Sequence, residues 1–244
     1  MDFKDEVKER LAANGQNQEL KATAHEFLKA SIIPKYSYNF SWLGRPIIQY
    51  PEDIVAMQEL VWEVKPDLII ETGIAHGGSL IFFSAMLELV KVCTGKDGEV
   101  LGIDIDIRAH NRKAIEEHPL SKRISMIEGS SIAPEIIALV AAKAKGKQRV
   151  LISLDSNHTH DHVLAELEAY AHLTTVGSYC VVFDTMVDDM PMEQAGDRPW
   201  GPGNNPKTAV RQWIKSHPEF EIDKSIDHKL LVSVAPDGYL KRVR

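Results

Sequence analysis

Apolar positions along the chain follow two rhythms. Between residues 3 and 30, Val7, Leu11, Leu20, Ala24, Phe27 and Leu28 recur at roughly helical spacing among charged residues, which predicts one or two amphipathic helices. The stretch from Ile32 to Pro46 is aromatic, proline-punctuated and without period, and reads as an ordered loop. Pro51 suits the first turn of a helix that runs to about residue 64. Short runs rich in Val, Ile and Leu then alternate with longer helical patterns: strands at 67–71, 99–104, 123–127, 149–154 and 178–184, helices at 78–93, 108–117, 133–144 and 160–171. That alternation predicts an α/β fold, a doubly wound and mostly parallel sheet with helices on both faces. Residues 186–205 break the rhythm, being polar and rich in Gly and Pro, and loops of such length are usually functional covers or disordered. Asn205-Pro206 opens a last helix to about 215. The segments 219–223 and 229–241 read as two or three further strands, with Asp237-Gly238 as the turn of a C-terminal antiparallel hairpin. Residues 1–50 form an N-terminal helical and aromatic extension, and 51–244 the sheet domain.

The first strand runs into Glu71-Thr-Gly73-Ile-Ala-His76-Gly77-Gly78-Ser79, and the second, Val100-Leu-Gly-Ile-Asp104, ends in an acid. In a doubly wound, Rossmann-like sheet this is how a nucleoside-bearing cofactor is held: glycines admit close backbone approach, and the acid accepts hydrogen bonds from ribose hydroxyls. A dinucleotide site needs a G-x-G-x-x-G rhythm, which is missing here, and Glu71 is a poor neighbour for a pyrophosphate. It suits the sulfonium and α-ammonium of S-adenosylmethionine. The pattern E-x-G-x-x-x-G-x-S resembles the first motif of class I methyltransferases, and Asp104 resembles their ribose-binding acid. Glycines used only for packing are the plain alternative. Glu71, Gly73, Gly77, Gly78, Ser79 and Asp104 are the expected cofactor residues, with Ser130 beyond the third strand assigned to the same site.

Two more strands end in acids, at Asp155-Ser-Asn157-His158 and at Asp184-Thr185. Ligands bind outside the carboxyl ends of such strands. Asp155 and Asp184 are therefore candidate ligands for a hard divalent cation such as Mg²⁺, which would lower the pKa of an acceptor hydroxyl. His158 is the candidate general base, since its unperturbed pKa lies near working pH. Helix capping or cofactor contact without metal is the alternative for the two aspartates, and a surface or capping role the alternative for His158. His160 and His162 read as solvated residues of the next helix.

Tyr36-x-Tyr38-x-Phe40-x-Trp42-x-Gly44, the Gly-Gly-Ser turn, Gly102-Ile-Asp104-Ile-Asp106 and Leu154-Asp155-Ser-Asn-His158 together resemble the cephalosporin hydroxylase/rhamnosyl O-methyltransferase family over about residues 35–235. The resemblance implies a class I methyltransferase fold, S-adenosylmethionine, and a Mg²⁺ site in which Asp155 and Asp184 are ligands. Relatives carry Glu-Asp where this chain has Phe183-Asp184, so one expected carboxylate is missing, with Thr185 or Asp188 as possible substitutes. The implied reaction is Mg²⁺-assisted O-methylation of a sugar, a glycolipid or a glycosylated natural product. The aromatic segment 36–45 is either a pocket wall or a packing or subunit-interface segment, and Arg198 and Trp200 are expected to close over the acceptor. Two alternatives stand beside this: a non-catalytic partner protein of the same fold, and an iron-dependent hydroxylase using the run His158-Thr-His160-Asp161-His162, as one of the family's names suggests.

Composition narrows the partners. Apolar residues make up 44% of the chain and charged residues 26%, the balance of a globular domain, and the net charge of −7 argues against a broad grip on nucleic acid. A small-molecule or glycosidic substrate remains, with a homo-oligomer possible through the N-terminal helices. Cys93 and Cys180 both sit in apolar runs and read as buried thiols. No apolar run is long enough to span a bilayer, and the charged N-terminus lacks the apolar core of a signal peptide, so the expected location is the cytoplasm.

Overall fold

The computed structural model describes residues 2–194 and 196–244. Two helices open the chain, α1 (Phe3–Gln16) and α2 (Gln18–Ile32), and the Asn17 side chain caps α2 by accepting the Leu20 amide. The aromatic stretch expected as a loop contains an antiparallel ribbon, β1 (Phe40–Trp42) with β2 (Arg45–Ile47). Its two-residue turn places Leu43 at φ 45° and Gly44 at φ 86°, and positive φ at both central residues is what a tight hairpin requires. Leucine is rarely found there, which is why the turn has no sequence signal. Helix α3 (Pro51–Val64) begins with proline in its first turn, as expected.

The doubly wound part follows as β3 (Leu68–Thr72), α4 (Gly78–Thr94), β4 (Glu99–Asp104), α5 (Ala109–Glu116), β5 (Ile124–Glu128), α6 (Pro134–Ala144), β6 (Val150–Leu154), α7 (His160–Tyr170) and β7 (Tyr179–Val182). The chain ends with α8 (Pro206–Trp213), β8 (Phe220–Ile222), α9 (Lys224–Leu230) and β9 (Tyr239–Arg242). One seven-stranded sheet results, in the order β5-β4-β3-β6-β7-β9-β8, parallel except for β9, which runs against both of its neighbours. Strands β3 and β6 are buried at every position because helices cover both faces. Alternate residues face opposite ways: Ile69 and Leu151 join a core formed with α3, α4 and α9, while Leu68, Ile70 and Ile152 join a second core under α6, α7 and α8.

Three expectations change. The antiparallel strand pair exists, but it is not a tight hairpin. Residues 224–230 form α9, and the apolar run after Leu230 is irregular backbone. Asp53 of α3 accepts the Ser233 hydroxyl at 2.6 Å and the Val234 amide at 2.9 Å, so a side chain partners this backbone in place of a neighbouring strand. Asp237-Gly238 leads into β9, and Gly238 has no room for a Cβ because it lies against the Val182 carbonyl. Cys180 is buried in β7 as expected, whereas Cys93 is exposed on the outer side of α4. Among the described residues no helix is long and apolar enough to cross a membrane.

Candidate active site

A cavity of ≈ 460 Å³ opens at the carboxyl ends of β3, β6 and β7. Its floor is the loop after β3, with Gly73, Ile74, Ala75 and His76, and the start of α4 at Gly78 and Ser79. One side is Asp155, Ser156 and His158 after β6, with Asp184 after β7. The opposite wall is the chain between α2 and α3, including Lys35, Tyr38, Gln49 and Tyr50. The 186–205 segment roofs it with Met186, Met190, Arg198 and Trp200. The aromatic stretch therefore divides its work: Tyr38 reaches the cavity, while Trp42 packs edge-on against Phe82 at 4.9 Å.

The glycines of the first loop serve close approach between backbones. Gly73, at φ 89°, lies where a Cβ would run into the Asp155 carbonyl, and a Cβ on Gly78 would meet the Pro46 carbonyl. Gly77 takes φ 79° at the N-cap of α4, beneath Ile115, and does not line the cavity. Asp104 stands behind the loop, where its Oδ2 accepts the amides of Ile74 at 2.7 Å and Ala75 at 3.2 Å. Its Oδ1 accepts the Asp106 amide at 3.1 Å. A carboxylate offers about four lone-pair sites, so about one remains on Asp104, which is not among the residues lining the cavity. Ser130 is half-buried and stays off the cavity wall. Glu71 is hidden behind Ser79, whose hydroxyl donates to it at 2.8 Å, and burial pushes its carboxyl up to about 8.

Asp155, His158 and Asp184 each present one ligand atom, and these atoms lie within 4.8 Å of one another. His158 Nε2 is 3.1 Å from Asp184 Oδ2. Burial first, then the charge of Asp184, holds the Asp155 carboxyl well above its ordinary range. Two half-buried carboxylates and an imidazole facing one another fit a divalent cation, whose charge would offset the repulsion between Asp155 and Asp184. Gln49 donates to Asp155 Oδ2 at 3.2 Å, and its own Oε1 is buried without a partner among the described residues, a spare acceptor at the wall. Gln49 comes from outside the sheet, so no motif marked it.

The missing carboxylate is not replaced as expected. Phe183 is in the core, Thr185 is buried and donates to the Pro236 carbonyl, and Asp188 is held by Gly203, Asn205 and Arg211. The third group facing the two carboxylates is His158. The other histidines of its run face elsewhere: His160 Nδ1 pairs with Thr208 at 2.8 Å, and His162 Nε2 with Ser131 and Ser156. The run thus offers no histidine pair for an iron site.

A sequence-family model described as Rhamnosyl O-methyltransferase/CmcI matches residues 34–243. Rhamnosyl O-methyltransferase of Mycobacterium leprae is 28% identical over 204 residues, covering 83% of this chain and 82% of the relative. The protein of the same name from Mycobacterium tuberculosis H37Rv is 29% identical over 192 residues, 78% and 73% of the two chains. Among solved structures, one described as "cmcI-D160 Mg-SAM" superposes with a TM-score of 0.58 at 19% identity, over 85% of this chain and 78% of that one. CalS11, described as a TDP-rhamnose 3'-O-methyltransferase, gives a TM-score of 0.51 at 17% identity, over 85% and 90%. At these identities the structures show the shared fold.

Proposed function

The chain belongs to the rhamnosyl O-methyltransferase/CmcI family, and we propose that it transfers the methyl group of S-adenosylmethionine to a hydroxyl of a sugar or glycosylated metabolite with the help of a divalent cation. The observation that carries this reading is the convergence of Asp155, His158 and Asp184 on the same cavity as the glycine loop. The names of the sequence relatives, rhamnosyl O-methyltransferases, support a sugar acceptor. The solved relative bound to Mg and S-adenosylmethionine supports the pairing of these two groups.

When bound, the cation supplies a lowered pKa at the acceptor hydroxyl, and the cofactor supplies an electrophilic methyl group. Asp155 and Asp184 would hold the cation. Gly73, Gly78 and Ser79 shape the cavity floor and would hold the donor, with Asp104 behind them as the acid that would meet its ribose. His158 takes the hydroxyl proton at Nε2, and Asp184, 3.1 Å away, stabilises the imidazolium that forms. Trp200, edge-on to His158 at 4.9 Å, limits water around that nitrogen. Most of the acceleration then comes from alignment and charge placement.

The test is methyl transfer from labelled S-adenosylmethionine to rhamnosyl acceptors, with and without Mg²⁺ or Mn²⁺. Asp155→Asn and Asp184→Asn should each lower the metal-dependent rate by about 100-fold or more while donor affinity, read by calorimetry, changes little. His158→Ala should show the same loss of rate with metal affinity little changed, because its Nε2 serves as the base while Asp155 and Asp184 would hold the cation. Absence of donor binding by the wild type would overturn the reading.

A further inference from the structure

The charged side chains of the cavity are sorted by depth. Its carboxylates, Asp155 and Asp184, belong to the cation site, whereas its mouth carries Lys35 and Arg198, both exposed. Lys35 is fixed at the turn that ends α2, with φ 54°, and its Nζ lies 5.7 Å from the centroid of the Tyr38 ring. Arg198 holds its guanidinium carbon 6.0 Å from the Trp200 ring centroid. Each cation is thus paired with an aromatic ring, and among the described residues neither has a carboxylate within ion-pair distance. Of the acids of the roof segment, Asp188 pairs with Arg211 and Asp189 with Lys207, while Glu193 and Asp197 are exposed and do not line the cavity. On a chain of net charge −7, the two charged side chains that line this opening are both cations.

The order of contacts gives the pair a direction. His158 touches Trp200 edge-on, and Trp200 touches Arg198. An acceptor whose hydroxyl reached His158 would meet Trp200 next and Arg198 beyond it. Aromatic faces suit sugar rings, and guanidinium suits phosphate or carboxylate oxygens.

We propose that the acceptor is an anionic sugar derivative, carrying a phosphate or carboxylate that Lys35 and Arg198 receive at the mouth while its hydroxyl reaches His158. This rests on the sugar O-methylation reading of the same cavity.

Binding of methyl α-L-rhamnoside, L-rhamnose 1-phosphate, dTDP-L-rhamnose and D-glucuronic acid is measured by calorimetry on protein loaded with S-adenosylhomocysteine, and methyl transfer is followed for each compound. At least one anionic compound should bind about tenfold or more tightly than the neutral glycoside, with the margin shrinking in high salt. The Lys35→Glu/Arg198→Glu variant should lose that margin and keep its affinity for S-adenosylhomocysteine. The phosphate arms against the uronic acid arm identify the anion. Equal affinity for neutral and anionic compounds overturns the proposal, as does a margin that survives the double variant, or failure of every anionic compound to bind the loaded protein. A tenfold loss of S-adenosylhomocysteine affinity in the variant also overturns it, by assigning the cations to the cofactor carboxylate. Tight anion binding without methylation of any compound would instead count against sugar O-methylation and leave the anion site standing.

Discussion

Glu71 sits at the end of β3 with the Ser79 hydroxyl as its partner, and burial followed by the nearby Asp104 charge keeps its carboxyl protonated up to about 8. In the unfolded chain the same group ionises near its ordinary value of 4.5. Because the folded value is the higher one, this group's stabilising contribution is complete below the unfolded value and is lost as pH rises toward the folded one. Glu71→Gln should therefore match the wild type near pH 4.5 and overtake it steadily toward pH 8, by a few kcal/mol in all. Thermal unfolding of the ligand-free proteins across that range checks this, and an offset independent of pH would assign the titration elsewhere. Glu71, Asp155 and His158 were visible in the sequence because each lies at or just beyond a strand end, where position alone implies a site. Gln49 and Lys35 were not, since they reach the cavity from a segment outside the sheet and only the tertiary fold brings them there.

At the scale of elements, the loop after β3 and the turn after β6 are fitted to each other through Gly73. Its left-handed φ of 89° and the Asp155 carbonyl in the Cβ position forbid a side chain twice over. Gly73→Ala should cost roughly 2–4 kcal/mol and displace the turn bearing Asp155. Gly44→Ala, equally left-handed but open to solvent space, should cost only about 1 kcal/mol. Chemical denaturation of the two variants side by side measures the difference. The β-branched runs of β3, β4, β6 and β7 were legible because helices bury both their faces, which leaves continuous apolar sequence between turn residues. The ribbon β1–β2 was hidden by a leucine in a glycine-like conformation. Helix α9 was hidden for another reason. It is short, its buried Ile226 lies upstream of the apolar run that resembles a strand, and Asp53 supplies from afar the hydrogen bonds a strand would have needed.

Across the whole molecule, Asp53 is where distant parts of the chain meet. It accepts from Ser233, from the Val234 amide and from the Tyr239 hydroxyl at 2.8 Å, tying α3 to the last strand, and burial raises its own carboxyl to about 6. Tyr239→Phe should cost about 1–3 kcal/mol by removing one donor from a buried carboxylate, and urea unfolding would read it. The loss should grow between pH 4 and pH 7, as a carboxylate left with fewer donors is charged. Strand order carries a further consequence. Strand β8 precedes β9 along the chain, yet β9 alone joins it to β7. While the protein folds, residues 220–222 have no neighbour to pair with until 239–242 arrive from the other side of α9, and the Val181 edge of β7 stays open for the same interval. Closing the sheet is thus a long-range event that waits on its latest strand, and until then two edges capable of joining other chains lie bare.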